Sequence, residues 1–255
     1  MLNYDAIVPG ETTINRVPME CIFSRTVTPV SSLHGRLRSG KAKPEDYGLD
    51  HVPKRDEVIT LPQTRATFST KIEEGGDVYK SLEEMARVSG LVGNEAARLQ
   101  NLTLEGAEIL FEEADKTRIH LADGKFEYVM GPGRNLLFGD TCYGWDENRW
   151  LYQLPDSRWV DLSKQFPRNA YNIEGRWKAA LKKAQKEHPN DRNMWPRPPD
   201  LGEDVREAFA MASHAVRSEL IGDESPHLEQ TAQLVADTLD RLKDKYGRDE
   251  TGMEI

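Results

Sequence analysis

Cysteine is nearly missing: 255 residues hold only two, Cys21 and Cys142. No His or Cys stands near either at zinc-ligand spacing, which excludes a structural zinc module, and two isolated thiols cannot staple a small secreted fold. No apolar run approaches the ~20 residues that span a bilayer. The first stretch, MLNYDAIVPGETTINR, lacks the basic-then-apolar pattern of a signal peptide. Positive charge is also short, with 34 Lys and Arg against 43 Asp and Glu, a formal net charge of -9. That balance argues against general nucleic-acid binding and against anionic membranes, while leaving room for a local basic pocket. Together these deficits predict a cytoplasmic protein with reduced thiols. What is present suits a globular chain: 38% hydrophobic and 30% charged residues, enough length for one large domain or two small ones.

Residues 17–23, VPMECIF, read as a short buried strand. A basic, Gly-containing loop follows, and 58–72 reads as β-rich segments around a Pro break. SLEE at 81–84 is a capping box that starts a helix. A second helix is expected over 93–115, where Ala96, Leu99, Leu102, Gly106 and Leu110 recur every three or four residues. Another is expected over 173–187. The four prolines of HPNDRNMWPRPPDLGED then mark a linker. Beyond it two amphipathic stripes, Val205–Phe209–Ala212–Val216 and Leu228–Ala232–Val235–Leu239–Leu242–Tyr246, predict a helical hairpin that packs on the main body or mediates self-association. The expected division is a core domain over 1–188 and a linker with helical extension over 189–255, with a frayed tail at GRDETGMEI.

The segment HLADGKFEYVMGPGRNLLFGDTCYGWDENRW, 120–150, reads as a β-hairpin with an unusual charge load. Alternate residues of a strand share a face, so Asp123, Lys125 and Glu127 line one side and Ala122, Gly124, Phe126 and Tyr128 the other. A four-residue turn over Pro132 to Asn135 would set Gly131 against Leu136 and Glu127 against Asp140. Carboxylates that close repel unless a cation lies between them or one keeps its proton. Mg²⁺ with phosphate oxygens is one such cation; a solvated polar face neutralised by Lys125 is the other reading. Asp146 and Arg149, flanked by Trp145 and Trp150, suit an anionic ligand, or else pair with each other across the turn.

Several of these segments resemble the SAICAR synthase (phosphoribosylaminoimidazole-succinocarboxamide synthase) family, its archaeal type above all. VPMECIF, VSSL, PEDYGL, FSTKIEE, HLADGKFEY, GDTCYGWDENRW and LSKQFPRNAY resemble family segments, in family order, over roughly 17–180. The resemblance implies an α+β fold: an antiparallel sheet with packed helices, an ATP-grasp-like core, followed here by the C-terminal helical hairpin. It implies a ligase of purine biosynthesis that uses ATP and Mg²⁺ to join carboxyaminoimidazole ribotide to L-aspartate. By that likeness Glu127 and Asp140 hold the metal and the ATP phosphates. Lys125 neutralises phosphate or positions the acceptor carboxylate, and Asp123 orients Lys125. Arg149 binds the ribotide phosphate with Ser31 and Ser32, Asp146 belongs to the substrate site, Lys71 meets a substrate carboxylate, and Lys164 and Arg168 close the pocket.

Two departures from the family pattern stand out. Sixteen residues before VPMEC cannot build the family's ATP-covering lobe, and SGKAK at 39–43 only mimics its motif from the wrong side. The family's phosphate-binding arginine falls on Ser24, its loop glycine on Val30, and Arg25 can replace the arginine only if the strand is bulged. Expectations therefore range from a short active synthase, through one half of a split enzyme, a fragment of a longer gene product or a homo-oligomer, to a relative that only binds nucleotide or ribotide, or a subunit that docks by its terminal helices.

Overall fold

A computed structural model describes residues 8–10, 15–71, 78–189, 191–223 and 225–253. The Ile72–Glu74 part of FSTKIEE lies outside them. Strands β1 (Asn15–Arg16) and β2 (Met19–Val27) lead to helix α1 (Ser32–Arg38), then β3 (Ile59–Thr70), β4 (Tyr79–Lys80) and helices α2 (Leu82–Val88) and α3 (Glu95–Ala114). Next come β5 (His120–Phe126), β6 (Tyr128–Met130), β7 (Leu136–Phe138), β8 (Asn148–Gln153) and β9 (Trp159–Asp161). Helices α4 (Gln165–Glu174), α5 (Arg176–Glu187), α6 (Glu203–Leu220) and α7 (Leu228–Tyr246) complete the described chain. The class is α+β, as expected. Six antiparallel strands form one sheet in the order β4-β3-β2-β5-β8-β9, and β1-β6-β7 form a second. Among the described residues no helix is long and apolar enough to cross a membrane.

The period-two reading of β5 holds. Ala122, Phe126 and Tyr128 are buried, and Phe23, Phe111 and Phe126 meet as rings, with Phe23 and Phe126 centroids 4.8 Å apart. Helix α3 thus lies across the apolar face; of the expected stripe only Leu99 is fully buried, and Thr103, Ala107 and Phe111 complete the buried face while Ala96, Leu102 and Leu110 are partly buried beside it. Gly124 is required where β5 passes under this layer, since a Cβ there would stand 2.1 Å from Asn148 Oδ1 and 2.4 Å from the Phe23 ring. The box at Ser81 forms on both sides: Ser81 Oγ accepts from Glu84 N–H, and Glu84 accepts from Ser81 N–H. Both C-terminal stripes join the same hydrophobic cluster as the sheet, with Phe209 and Tyr246 only partly buried at its edge.

Four local expectations are corrected. The strand from 120 does not run through to 130: it breaks at Glu127, so that β5 and β6 belong to different sheets. The turn is three residues, not four, because Gly131 N–H reaches Asn135 O and Gly133 and Arg134 take positive φ of 66° and 58°. Glu95 fixes this tight geometry by receiving Arg134 Nε and Nη2 at 2.6 Å each. Met130 therefore pairs with Leu136, and Glu127 stands opposite Gly139, whose N–H it accepts, rather than opposite Asp140. The helix expected over 173–187 is two helices, broken at Gly175 with φ 74°. The tail is not frayed up to Met253: Asn169 and Asn172 hold Glu250, and Arg55 pairs with Asp249.

Candidate active site

Cross-strand partners share a face, so the register draws the site in rows. One row runs Arg65 (β3), Ser24 (β2), Asp123 (β5), Arg149 (β8). The next holds Thr67, Ile22 and Lys125, and Glu20 follows beside Ser69. At the far end Glu127 occupies the joint between the two sheets, where β1 brings in Arg16 and the end of β3 brings in Lys71.

Glu127 is buried, its side chain 2% exposed, and three cations converge on it. Lys71 and Lys125 reach Oε1, and Arg16 reaches Oε2. Lys125 also donates to Glu20 at 2.8 Å and pairs with Glu147 at 3.3 Å. Burial works against its ammonium, but the Glu20 hydrogen bond and the charges of Glu20 and Glu147 outweigh that and hold its pKa above the ordinary value. Lys71 shifts the other way: burial, with the like charges of Arg16 and Lys125, lowers its pKa. Two lysines on one carboxylate are thus poised oppositely, Lys125 as a fixed cation and Lys71 as the readier proton donor.

Asp140, exposed on the loop after β7, lies 3.8 Å from the same Arg16 guanidinium. Glu127 and Asp140 thus meet around one cation despite the one-residue register slip. Among the described residues no group of three His, Cys, Asp or Glu is placed to hold a metal. Two carboxylates with phosphate oxygens and water are nevertheless the donor set Mg²⁺ takes, and the Arg16 side chain between them is 52% exposed. The residues present fit the ion once Arg16 is displaced.

Arg149 is not paired with Asp146 across the turn. It lies within β8 and donates to Asp123, with Nε 3.2 Å from Asp161 Oδ2. Asp123 therefore orients Arg149, not Lys125. Burial raises the pKa of both carboxyls against the opposing pull of Arg149, and Asp161 is pushed up to about 6. Asp161 also lines a cavity of about 710 Å³ shared with Thr28, Val30, Asn169, Lys243 and Glu250. Asp146 instead pairs with Lys164 at 3.6 Å.

The other expected residues are scattered. Arg25 turns toward the end of α3, where it pairs with Asp115 at 2.8 Å and lies over the Phe111 ring. The register shift sits beside it, but the extra residues belong to β3, around Pro62, so Arg25 is not carried to the row of Ser24. Ser31 caps α1 by accepting from His34 N–H, and the Ser32 hydroxyl meets that of Tyr79. Arg168 is exposed on α4 near Lys178. Arg16, Glu20, Glu147, Asp161 and Arg65 were not foreseen as site residues. Only Glu20 carried a local signal, alternating with Ile22 and Ser24 along β2.

A SAICAR synthetase family model matches residues 11–184. The phosphoribosylaminoimidazole-succinocarboxamide synthase of Thermoplasma acidophilum is 31% identical over 195 residues, 76% of this chain and 64% of the relative. Two solved structures share the fold over 84% of the chain. One is a SAICAR synthetase in complex with ADP, 16% identical with a TM-score of 0.51, of which 66% is covered. The other is the Saccharomyces cerevisiae SAICAR synthase complexed with SAICAR, 20% identical with a TM-score of 0.53, of which 64% is covered. The chain spans 53–65% of the length of three archaeal relatives it matches.

Proposed function

The chain belongs to the SAICAR synthetase family, and from that premise we propose that it works as a cytoplasmic ATP-dependent ligase joining carboxyaminoimidazole ribotide to L-aspartate. The observation that carries the reading is the convergence of Arg16, Lys71 and Lys125 on the buried Glu127, with Asp140 at its edge. In the reaction the γ-phosphoryl group passes to the ribotide carboxylate, ADP leaves, and the aspartate amine attacks the acyl phosphate. Inorganic phosphate departs and the amine loses a proton as the amide forms. Such transfers need anions held in line by positive charge.

Lys125, pinned by Glu20 and Glu147, keeps a fixed charge beside the transferring group. Lys71, with its lowered pKa, faces the acceptor carboxylate. Glu127 and Asp140 would hold Mg²⁺ once Arg16 moved aside; the ion, when bound, would neutralise the phosphates and polarise the transferring group. Three cations gathered on one buried carboxylate repel one another, and a purely structural face gains nothing by collecting them there.

The deciding experiment incubates the chain with ribotide, aspartate and Mg²⁺-ATP and follows ADP release with mass detection of the amide. ADP release that requires both other substrates is expected, and Glu127→Gln with Asp140→Asn should remove it. Binding of ribotide and Mg²⁺-ATP without product would leave a binding protein; no binding of either would overturn the reading.

A further inference from the structure

The row Arg65–Ser24–Asp123–Arg149 holds two guanidinium groups in opposite states. Arg149 is more than neutralised, with a carboxylate on each side. An added dianion near it would face two buried carboxyls before it met a free positive charge. Arg65 makes no hydrogen bond and no ion pair among the described residues; its Nε, like that of Arg149, is enclosed without a hydrogen bond, but only Arg149 has carboxylates at ion-pair distance. It is half-buried on β3, directly across from Ser24, which is itself paired with Asp123. A desolvated guanidinium N–H left unsatisfied is costly, and a structure tolerates that where a ligand supplies the acceptor.

The register explains how Arg65 arrives there. Thr26 pairs with Thr60, yet Ser24 pairs with Arg65, so β3 spends extra residues around Pro62 against the single Arg25. That bulge sets the parity of everything after it, placing Arg65 and Thr67 on the charged face and Phe68 in the core. It also sends Arg25 to Asp115. The same irregularity that takes the β2 arginine out of the site thus puts a β3 arginine into it.

We propose that Arg65 is the anion-binding guanidinium of this site and takes the phosphate of a sugar-phosphate ligand, with the Ser24 hydroxyl beside it. This rests on the ribotide reading only for the identity of the rest of the ligand; the phosphate itself is read from the row. Arg149, by the same reasoning, is a positioning residue that fixes Asp123 and Asp161.

The test titrates the full chain with ribose 5-phosphate and with carboxyaminoimidazole ribotide, each beside its unphosphorylated form, for the natural sequence, Arg65→Ala and Arg65→Lys. Charged hydrogen bonds of this class correspond to about 10- to 150-fold in affinity. Arg65→Ala should weaken both phosphorylated ligands by that factor, leave the unphosphorylated forms and the melting temperature unchanged, and be partly rescued by Lys, which lacks the planar fork. Ribose 5-phosphate binding that depends on Arg65, without ribotide preference, would uphold the arginine and remove the ribotide. Equal affinities for Arg65→Ala and the natural sequence, or no binding of any phosphorylated ligand, would overturn the assignment of Arg65.

Discussion

Two charge clusters lie on one sheet face, and they are built differently. Around Arg149, one cation is shared by two acids, and all three side chains are at most 17% exposed. Around Glu127, one buried acid is shared by three cations, of which Arg16 is half exposed and the lysines each 22%. In the first cluster the acids outnumber the cation, which disfavours an added anion. The second is open at its rim, where the half-exposed Arg16 can exchange Glu127 for a ligand while Lys71 and Lys125 still neutralise it. Equal charge density along β5 therefore does not mean equal function: Asp123 holds Arg149 in the frame, while in the proposed reaction Lys125 and Glu127 would serve the chemistry.

The largest effect should come from breaking the closed cluster. Arg149→Ala leaves Asp123 and Asp161 facing each other in the interior, and removing one partner of a buried pair costs about 3–5 kcal/mol. Urea unfolding at pH 7.5 measures it. A loss under 1 kcal/mol would mean that the triad is solvated and that Arg149 is available to a ligand after all. Because both carboxyls can relieve the repulsion by taking up a proton, the deficit should shrink at pH 5.

The pH dependence sharpens the contrast. Asp161 has an ordinary carboxyl pKa when unfolded but holds its proton up to about pH 6 when folded. Between those values the native state carries more protons than the unfolded one, so stability falls as pH rises through this window. At ~1.4 kcal/mol per pKa unit the fall is about 3 kcal/mol, and Asp161→Asn should flatten it. Unfolding curves at pH 4, 5, 6 and 7 report it directly. A curve that rises over this range, or one that Asp161→Asn leaves untouched, would place the proton elsewhere.

Much of this frame is legible locally. The alternation from Asp123 to Tyr128 gives a charged and an apolar face, the Ser81–Glu84 box starts its helix, and the two C-terminal stripes join the core as spaced. Local pattern fails where a distant segment decides. The turn at Gly133 is tightened by Glu95, from another helix, and that one residue moves Glu127 off Asp140. Arg16, Lys71 and Asp161 lie on strands far along the chain, and nothing in their own neighbourhoods says which carboxylate they will meet. The parity of Arg65 depends on how many residues β3 loses around Pro62, which a proline signals without counting.

The smallest effect on stability should come from the open cluster, and it is the more telling one. Arg16 contacts Glu127 and Asp140 from a half-exposed position, where an ion pair contributes ~0–1 kcal/mol. Arg16→Ala should therefore barely change the melting temperature in metal-free buffer, since Lys71 and Lys125 still neutralise Glu127. It should change the response to added Mg²⁺. In the natural sequence the ion must displace a guanidinium before two carboxylates can receive it; in the variant that competitor is gone. Stabilisation by a ligand grows with the ratio of its concentration to its Kd, so the variant should gain more thermal stability from millimolar Mg²⁺ than the natural chain does. Melting curves with and without MgCl₂, with NaCl matched for ionic strength, make the comparison. A variant that gains less than the natural chain would mean that Arg16 orders the carboxylates for the ion, and the picture of an exchangeable cation between Glu127 and Asp140 would fall.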